Sequence, residues 1–226
     1  MKPRPSELLN DLISRERKAR IEQVLENRTR FITVVLDNLY HPHNMSAVVR
    51  SCEAFGIQDI HVIETENRFA PSEGIAMGAQ RWISVIRHAS SDECASWLKE
   101  KGYTLMAADP PERAMKTKSK KAFRLEQISL DQGPLALVFG KELHGIDPHL
   151  RSFCDATIFI PMKGFTESFN VSVTAAICLY ELRKRLDALP AIKWQLSPRE
   201  KSDLRDEWYV KSVRHGPKVL KELTNR

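Results

Sequence analysis

The chain has 226 residues, 42% of them hydrophobic, enough to bury one α/β core with small appendages, since single domains usually run to about 100–250 residues. No apolar run reaches the roughly 18 residues of a membrane span, and the opening MKPRPSELLNDLISRERKAR lacks the apolar block of a secretory leader, so a cytoplasmic protein off the membrane is expected. The formal net charge is +6, and four cysteines (Cys52, Cys94, Cys154, Cys178) without a CxxC pair argue against a disulfide framework and against a bound metal, leaving reduced, mostly buried thiols.

Strands and helices alternate along the chain. A basic helix is expected within residues 1–28. Short β-branched or aliphatic runs follow at 31–38, 59–64, 82–88, 103–109, 134–140 and 156–162, of the kind buried in a mostly parallel sheet. After the first strand, HPHN leads into a helix over 44–56 with Asn44 as a good N-cap. Met45, Val48, Val49, Cys52 and Phe55 form its apolar face, while Ser46, Arg50 and Glu53 fall on another. Ser90 and Glu93 make a capping box for a helix through Lys101, which Gly102 ends. The run at 156–162 passes through a Gly-bearing polar loop into a long helix over 170–186, whose apolar face is Val171, Ile177, Leu179, Leu182 and Leu186. Ser197 as N-cap, Pro198 and Glu200 then start a separate helix after a break at Ala188–Pro190. Residues 1–28, 29–186 and 187–226 are thus an N-terminal helical extension, a catalytic-sized α/β domain and a C-terminal helical extension.

The charge is sorted. Residues 1–30 carry eight Lys/Arg against five acids, 113–124 six against none, and 183–226 twelve against six, so the remainder of the chain is −9. Solvation needs charge but not sorted charge, and the pattern reads either as soluble terminal helices or as an electrostatic footprint for a polyanion. The cations available to a footprint are Arg15, Arg17, Lys18, Arg20, Lys116, Lys118, Lys120, Lys121, Arg199, Arg214 and Lys218, with His43 beside the first helix of the α/β domain.

Three segments carry more specific information. NMSAVVRSCEAFG (44–56), LVFGKELHGI (137–146) and IPMKGFTESFNVSVTAAICLYE (160–181) resemble, in order and spacing, the three motifs of the SpoU-type RNA ribose 2′-O-methyltransferases, over roughly residues 29–186. With HPHN at 41–44 and a short helical extension at each end, the chain is most similar to the subgroup that methylates guanosine-18 in the tRNA D-loop. The resemblance implies the SPOUT fold with a C-terminal trefoil knot, S-adenosylmethionine as cofactor, tRNA as partner, and a homodimer whose sites are completed across the subunit boundary. The absence of a Gly-rich turn after the first strand likewise disfavours an ordinary dinucleotide fold.

The same resemblance assigns residues. Arg50 matches the catalytic arginine; it lies six residues beyond Asn44, about 9 Å along a helix axis, but helical side chains lean toward the N-terminus, so the two can share a site. Glu142, Ser168 and Asn170 complete the catalytic set. Ala108, Gly140, Ile160, Met162 and Phe169 match positions around the cofactor, although Gly140 by itself could be a turn glycine and the others core. A guanidinium is a poor base and a good fork for phosphate, so Arg50 is expected to hold the RNA phosphate and stabilise the developing alkoxide. The chain departs from the pattern with Ala108 where threonine is common, Phe169 where leucine is frequent and Thr174 where alanine is frequent. Alternatives from other classes are a non-catalytic RNA-binding module and a Ser-His-Asp hydrolase; the latter lacks a GxSxG elbow. Within the methyltransferases the alternative substrate is ribosomal RNA.

Overall fold

The computed structural model describes residues 3–116, 121–142, 144–189 and 191–225. Its elements run α1 (Pro5–Leu8), α2 (Arg15–Glu26), β1 (Ile32–Asp37), α3 (Pro42–Ala54), β2 (Asp59–Ile63), α4 (Glu73–Ala76), β3 (Ser84–His88), α5 (Ser91–Glu100) and β4 (Thr104–Ala108). They continue with α6 (Pro111–Lys116), β5 (Ala122–Arg124), β6 (Leu135–Phe139), α7 (Pro148–Phe153), β7 (Ala156–Phe159), α8 (Val171–Asp187), α9 (Pro198–Ser212) and α10 (Gly216–Thr224). These divide into two units, Met1–Thr29 with Gln195–Arg226, and Arg30–Trp194. The terminal extensions read separately from the sequence therefore belong to one unit, and residues 187–194 go with the other.

In Arg30–Trp194 all seven strands pair in parallel, in the order β3-β2-β1-β6-β4-β7-β5. β1 and β6 are buried at every position, as a sheet covered on both faces requires. Alternation splits their side chains: Val34 and Leu36 enter a cluster with Val48, Cys52, Leu179 and Leu182 from α3 and α8, while Val35 and Val138 face Cys94, Leu98 and Leu150 from α5 and α7. After β3 the chain reverses the direction in which strands are added, which places a crevice at the carboxyl ends of the central strands, where open parallel sheets bind ligands. The short strand β5 is absent from the sequence reading: its AFR is half exposed on an edge, so no burial pattern announces it.

Two expectations need correction. Helix α3 begins at Pro42, with His41 at the N-cap, so Asn44 lies inside the first turn and does not cap. Proline is pre-organised for that first position and starts the helix early. Ser46, assigned to the polar face, is fully buried, because its hydroxyl donates to the Pro42 carbonyl (2.7 Å) and accepts from Ser72 N–H (2.8 Å). Gly102 has φ +79°, the left-handed conformation expected of a glycine ending α5, and all four cysteines are free and buried.

In the other unit, Ser14 caps α2 by accepting from Arg17 N–H, and Ser197 and Glu200 form the capping box of α9. Leu9, Ile21, Leu25, Leu204 and Trp208 are buried. Four acids of this unit are paired within it: Arg205 binds Glu22 at 2.5 Å, Lys201 binds Glu26 at 2.6 Å, and Arg4 binds Asp203 and Asp206 at 2.7 Å. Among the described residues no helix is long and apolar enough to cross a membrane.

Candidate active site

The carboxyl ends of β4, β6 and β7 open into a cleft of about 690 Å³ lined by Ala108, Gly140, Ile160, Met162 and Phe169 among others, within the about 300–1,000 Å³ usual for small-molecule sites. Each strand stops for a visible reason. β6 ends where Lys141 and Gly145 exchange backbone hydrogen bonds (3.0 and 2.9 Å) and fold the loop back on Gly140. A Cβ at Gly140 would lie 2.1 Å from the Gly145 carbonyl carbon and Ile146 nitrogen, so no larger residue fits there. β7 gives way before Pro161, leaving Ile160 and Met162 in non-repetitive backbone whose polar groups are not committed to a strand ladder. Volume, apolar wall and backbone-rich rim fit the S-adenosylmethionine expected from the sequence.

At one lip of the cleft, three distant segments meet through hydrogen bonds. The Asn44 side-chain amide donates to Oε1 of Glu142 (2.9 Å), and the Asn170 amide donates to Oδ1 of Asn44 (3.1 Å). Glu142 also accepts from the backbone N–H of Tyr40 and His41, both at 3.3 Å, while Asn170 Oδ1 accepts from Ser172 N–H (2.8 Å) and so caps α8. Partial burial pushes the Glu142 pKa up, but the bonds from Asn44 and the backbone amides, His41 and Tyr40 among them, outweigh it and hold the carboxyl below its ordinary value. The carboxylate is therefore charged at neutral pH. It fixes the amide orientation of Asn44, which is itself buried. The two backbone donors were not legible in the sequence, since main-chain direction leaves no residue signature.

The second anchor of this lip is Asp37, fully buried at the end of β1. It accepts from Asp147 N–H (2.8 Å) and from the Asn38 side chain (2.9 Å), tying the loop after β6 to the segment that leads into α3. Burial raises its pKa despite these bonds. On the far wall, Asp109 and Arg151 form a largely buried ion pair, and Arg113 donates to the His144 carbonyl (3.1 Å).

The remaining expected residues are spread more widely. Ser168 lines the cleft but is exposed and makes no hydrogen bond among the described residues. Arg50 is exposed on α3, does not line the cleft, and makes no ion pair or hydrogen bond among the described residues. The structure thus joins Asn44, Glu142 and Asn170 but does not bring Arg50 to them within the chain. His43 is exposed in the first turn of α3. Arg15, Arg17, Arg20, Lys121, Arg199, Arg214 and Lys218 are also exposed, whereas Lys18 is half-buried and donates to Asn10 (3.1 Å). Lys116, at the cleft, lies 3.5 Å from Glu112. Lys118 and Lys120 fall outside the described residues.

Among the described residues, one group of side chains of metal-ligand type comes together away from the cleft: His61, His88 and Cys94, all buried. Nδ1 of His61 and Nε2 of His88 lie 2.9 Å apart, and the rings stack at 5.2 Å. One neutral ring donates to the other. Burial, with the His88 charge second, lowers the His61 pKa to about 3; burial lowers that of His88, and pushes the Cys94 thiol up to about 12.

Over residues 31–180 the chain matches the family described as the SpoU rRNA Methylase family. A Borreliella burgdorferi protein named tRNA (guanosine(18)-2′-O)-methyltransferase is 34% identical over 208 residues, 92% of this chain and 91% of its own. A solved structure described as an A. aeolicus TrmH/SpoU tRNA modifying enzyme superimposes with a TM-score of 0.75 at 28% identity, over 88% of this chain and 98% of its own. The Streptomyces viridochromogenes SpoU methyltransferase AviRb, solved with the cofactor AdoMet, has the same fold (TM-score 0.60, 21% identity, 74% of this chain and 62% of its own).

Proposed function

We propose that this chain, which belongs to the SpoU rRNA Methylase family, transfers a methyl group from S-adenosylmethionine to the ribose 2′-hydroxyl of guanosine-18 in tRNA. The observation that carries the reading is the Asn44–Glu142–Asn170 hydrogen-bonded lip on the cleft: it joins all three sequence motifs at the carboxyl edge of the sheet. The tRNA substrate is supported by the name of the relative that matches nearly the whole chain, which favours tRNA over ribosomal RNA.

When bound, the cofactor supplies a methyl on a positively charged sulfur with a neutral leaving group, so the protein's part is placement and activation. Ala108, Ile160, Met162 and Phe169 would hold its apolar parts, with Gly140 leaving room for backbone approach. Glu142 and Asn170 hold Asn44 in one rotamer, with its amide at the place where a ribose must enter. Ser168 offers the neighbouring hydroxyl. Arg50 grips the phosphate beside the ribose and stabilises the oxygen as its proton passes to solvent water, as a charged planar fork can.

Arg50 does not line its own cleft, which supports the homodimer expected from the resemblance, with Arg50 of one subunit serving the cleft of the other. Phe169, Val173 and Tyr180, exposed along the start and outer side of α8, provide apolar surface for such an interface. The trefoil knot and action in the cytosol belong to the same proposal. The cations Arg15, Arg17, Arg20, Arg199, Arg214 and Lys218, exposed on the terminal unit, would contact tRNA phosphates. Nucleoside mass spectrometry of unmodified tRNA incubated with the protein and S-adenosylmethionine tests the reading: 2′-O-methylguanosine at the D-loop position is expected, and methylation of ribosomal RNA alone would refute it.

A further inference from the structure

Between the end of β1 and the first turn of α3 the chain buries Leu39 at 2% and, within that turn, Asn44 at 7% exposure, yet leaves Tyr40 66% exposed. Single exposed apolar side chains are normal and by themselves decide nothing. What distinguishes Tyr40 is the rigidity of its mounting. Its N–H donates to Oε2 of Glu142, the next N–H donates to Oε1 of the same carboxylate, and Pro42 follows at the first position of α3. The ring meets His41 edge-on at 5.0 Å, and its hydroxyl makes no hydrogen bond among the described residues. The backbone that carries this aromatic ring is thus anchored to Glu142, a residue that itself lines the cleft, and the ring is left largely exposed.

We propose that Tyr40 is a stacking platform for a nucleobase at or next to the ribose that receives the methyl group, an assignment that rests on the RNA methyl-transfer reading above. A ribose in a tRNA loop can present its 2′-hydroxyl in a cleft only if its base leaves its neighbours. Unstacked bases in single-stranded RNA are held on aromatic side chains. Such a face is tolerant of base identity, so Tyr40 fixes where the nucleotide sits while edge contacts elsewhere choose which base is accepted. The linkage to Glu142 is the structural reason for the position: the carboxylate that orients Asn44 also locates the backbone of Tyr40, so reacting group and base support share one anchor.

The test uses the full chain and a tRNA carrying 2-aminopurine at the methylated position or its 3′ neighbour. Stacking is expected to quench the fluorescence on binding. Tyr40→Leu should lose the quench and lower kcat/KM for tRNA by roughly 5- to 100-fold, with S-adenosylmethionine affinity unchanged, and Tyr40→Phe should restore both. An unaltered quench and kcat/KM in Tyr40→Leu overturns the proposal, as does a shift of Tyr40→Leu toward monomer in light scattering, which would make the ring a contact between copies. Absence of methyl transfer by the unaltered protein, with quenching intact, overturns the functional reading and leaves the stacking site standing as a binding site.

Discussion

Asn44 and Glu142, 98 positions apart in sequence, are joined by a 2.9 Å hydrogen bond from amide to carboxylate, and the same carboxylate accepts from the backbone of the turn that precedes Asn44. Glu142→Gln replaces an acceptor-only group by one that cannot accept on both atoms, so one of the three donors loses its partner. An unpaired buried donor costs about 1–3 kcal/mol and the Tyr40 and His41 bonds are exposed, so the loss in urea denaturation should stay near the lower end of that range, while initial rates of methyl transfer should fall as the lip that orients Asn44 loosens. Because the folded pKa of Glu142 lies below its ordinary 4.5, its contribution to stability is complete above that value and is lost as pH falls through the folded pKa. An acidic limb in the rate profile near neutrality would therefore arise from another group.

Arg50 is exposed and without an ion pair or hydrogen bond among the described residues, so Arg50→Ala should change stability by less than about 0.5 kcal/mol while abolishing methyl transfer, and Arg50→Lys should remain severely impaired because an ammonium lacks the planar fork. If Arg50 serves a partner's cleft, mixing Arg50→Ala with Gly140→Val subunits should restore activity to about a quarter of normal, the share of complete sites in statistically mixed symmetric dimers. Two variants that remain inactive after subunit exchange would place Arg50 and the cleft in the same chain.

The exposed and the paired cations of the terminal unit should behave differently. Replacing Arg15, Arg20, Arg214 or Lys218 by alanine should flatten the dependence of log Kd for tRNA on log salt by about 0.9 for each phosphate contact removed and leave the melting temperature unchanged. Alanine at Lys201 or Arg205, which bind Glu26 and Glu22, should lower the melting temperature with little change in that slope. An unchanged slope for all the exposed variants would remove this unit from the RNA footprint.

Acid should destabilise the fold through the His61–His88 pair. Both pKa values are lowered on folding, so the unfolded chain binds these protons more readily: stability is complete above pH 6.5 and is lost as pH falls from 6.5 toward about 3, the folded value for His61. The slope approaches about 1.4 kcal/mol per pH unit for each group. Imidazole proton resonances of folded protein that titrate near 6.5 at His61 would contradict this.

The thiols should be silent in the native state. All four are buried, and burial pushes Cys94 and Cys178 up to about 12, so thiolate is scarce at neutral pH. An aromatic disulfide reagent should react with none of them until denaturant is added; a rapid native reaction at Cys94 would show that the His61–His88 region opens.

The sequence by itself determined whatever depends on local periodicity and local chemistry. Six of the seven strands were legible as β-branched runs because a parallel sheet covered on both faces leaves each central strand almost wholly apolar, and Gly102 and Ser197 marked helix ends because few residues satisfy those backbone positions. The motifs were legible because their spacing survives without coordinates. Tertiary structure alone decided how the motifs meet. Asn44 looked like a helix cap, since capping is the commonest local use of asparagine, and only the approach of Glu142 and Asn170 turned its amide inward. Ser46 fell on the polar side of a helical wheel and is buried because Ser72 covers it. Lys201 and Arg205 enter the sequence only as part of the basic excess of residues 183–226, and it is α2 that places Glu26 and Glu22 against them. In each case the deciding partner lies far away along the chain, and a hydrogen bond or ion pair across that distance has no period, cap or composition through which a sequence could announce it.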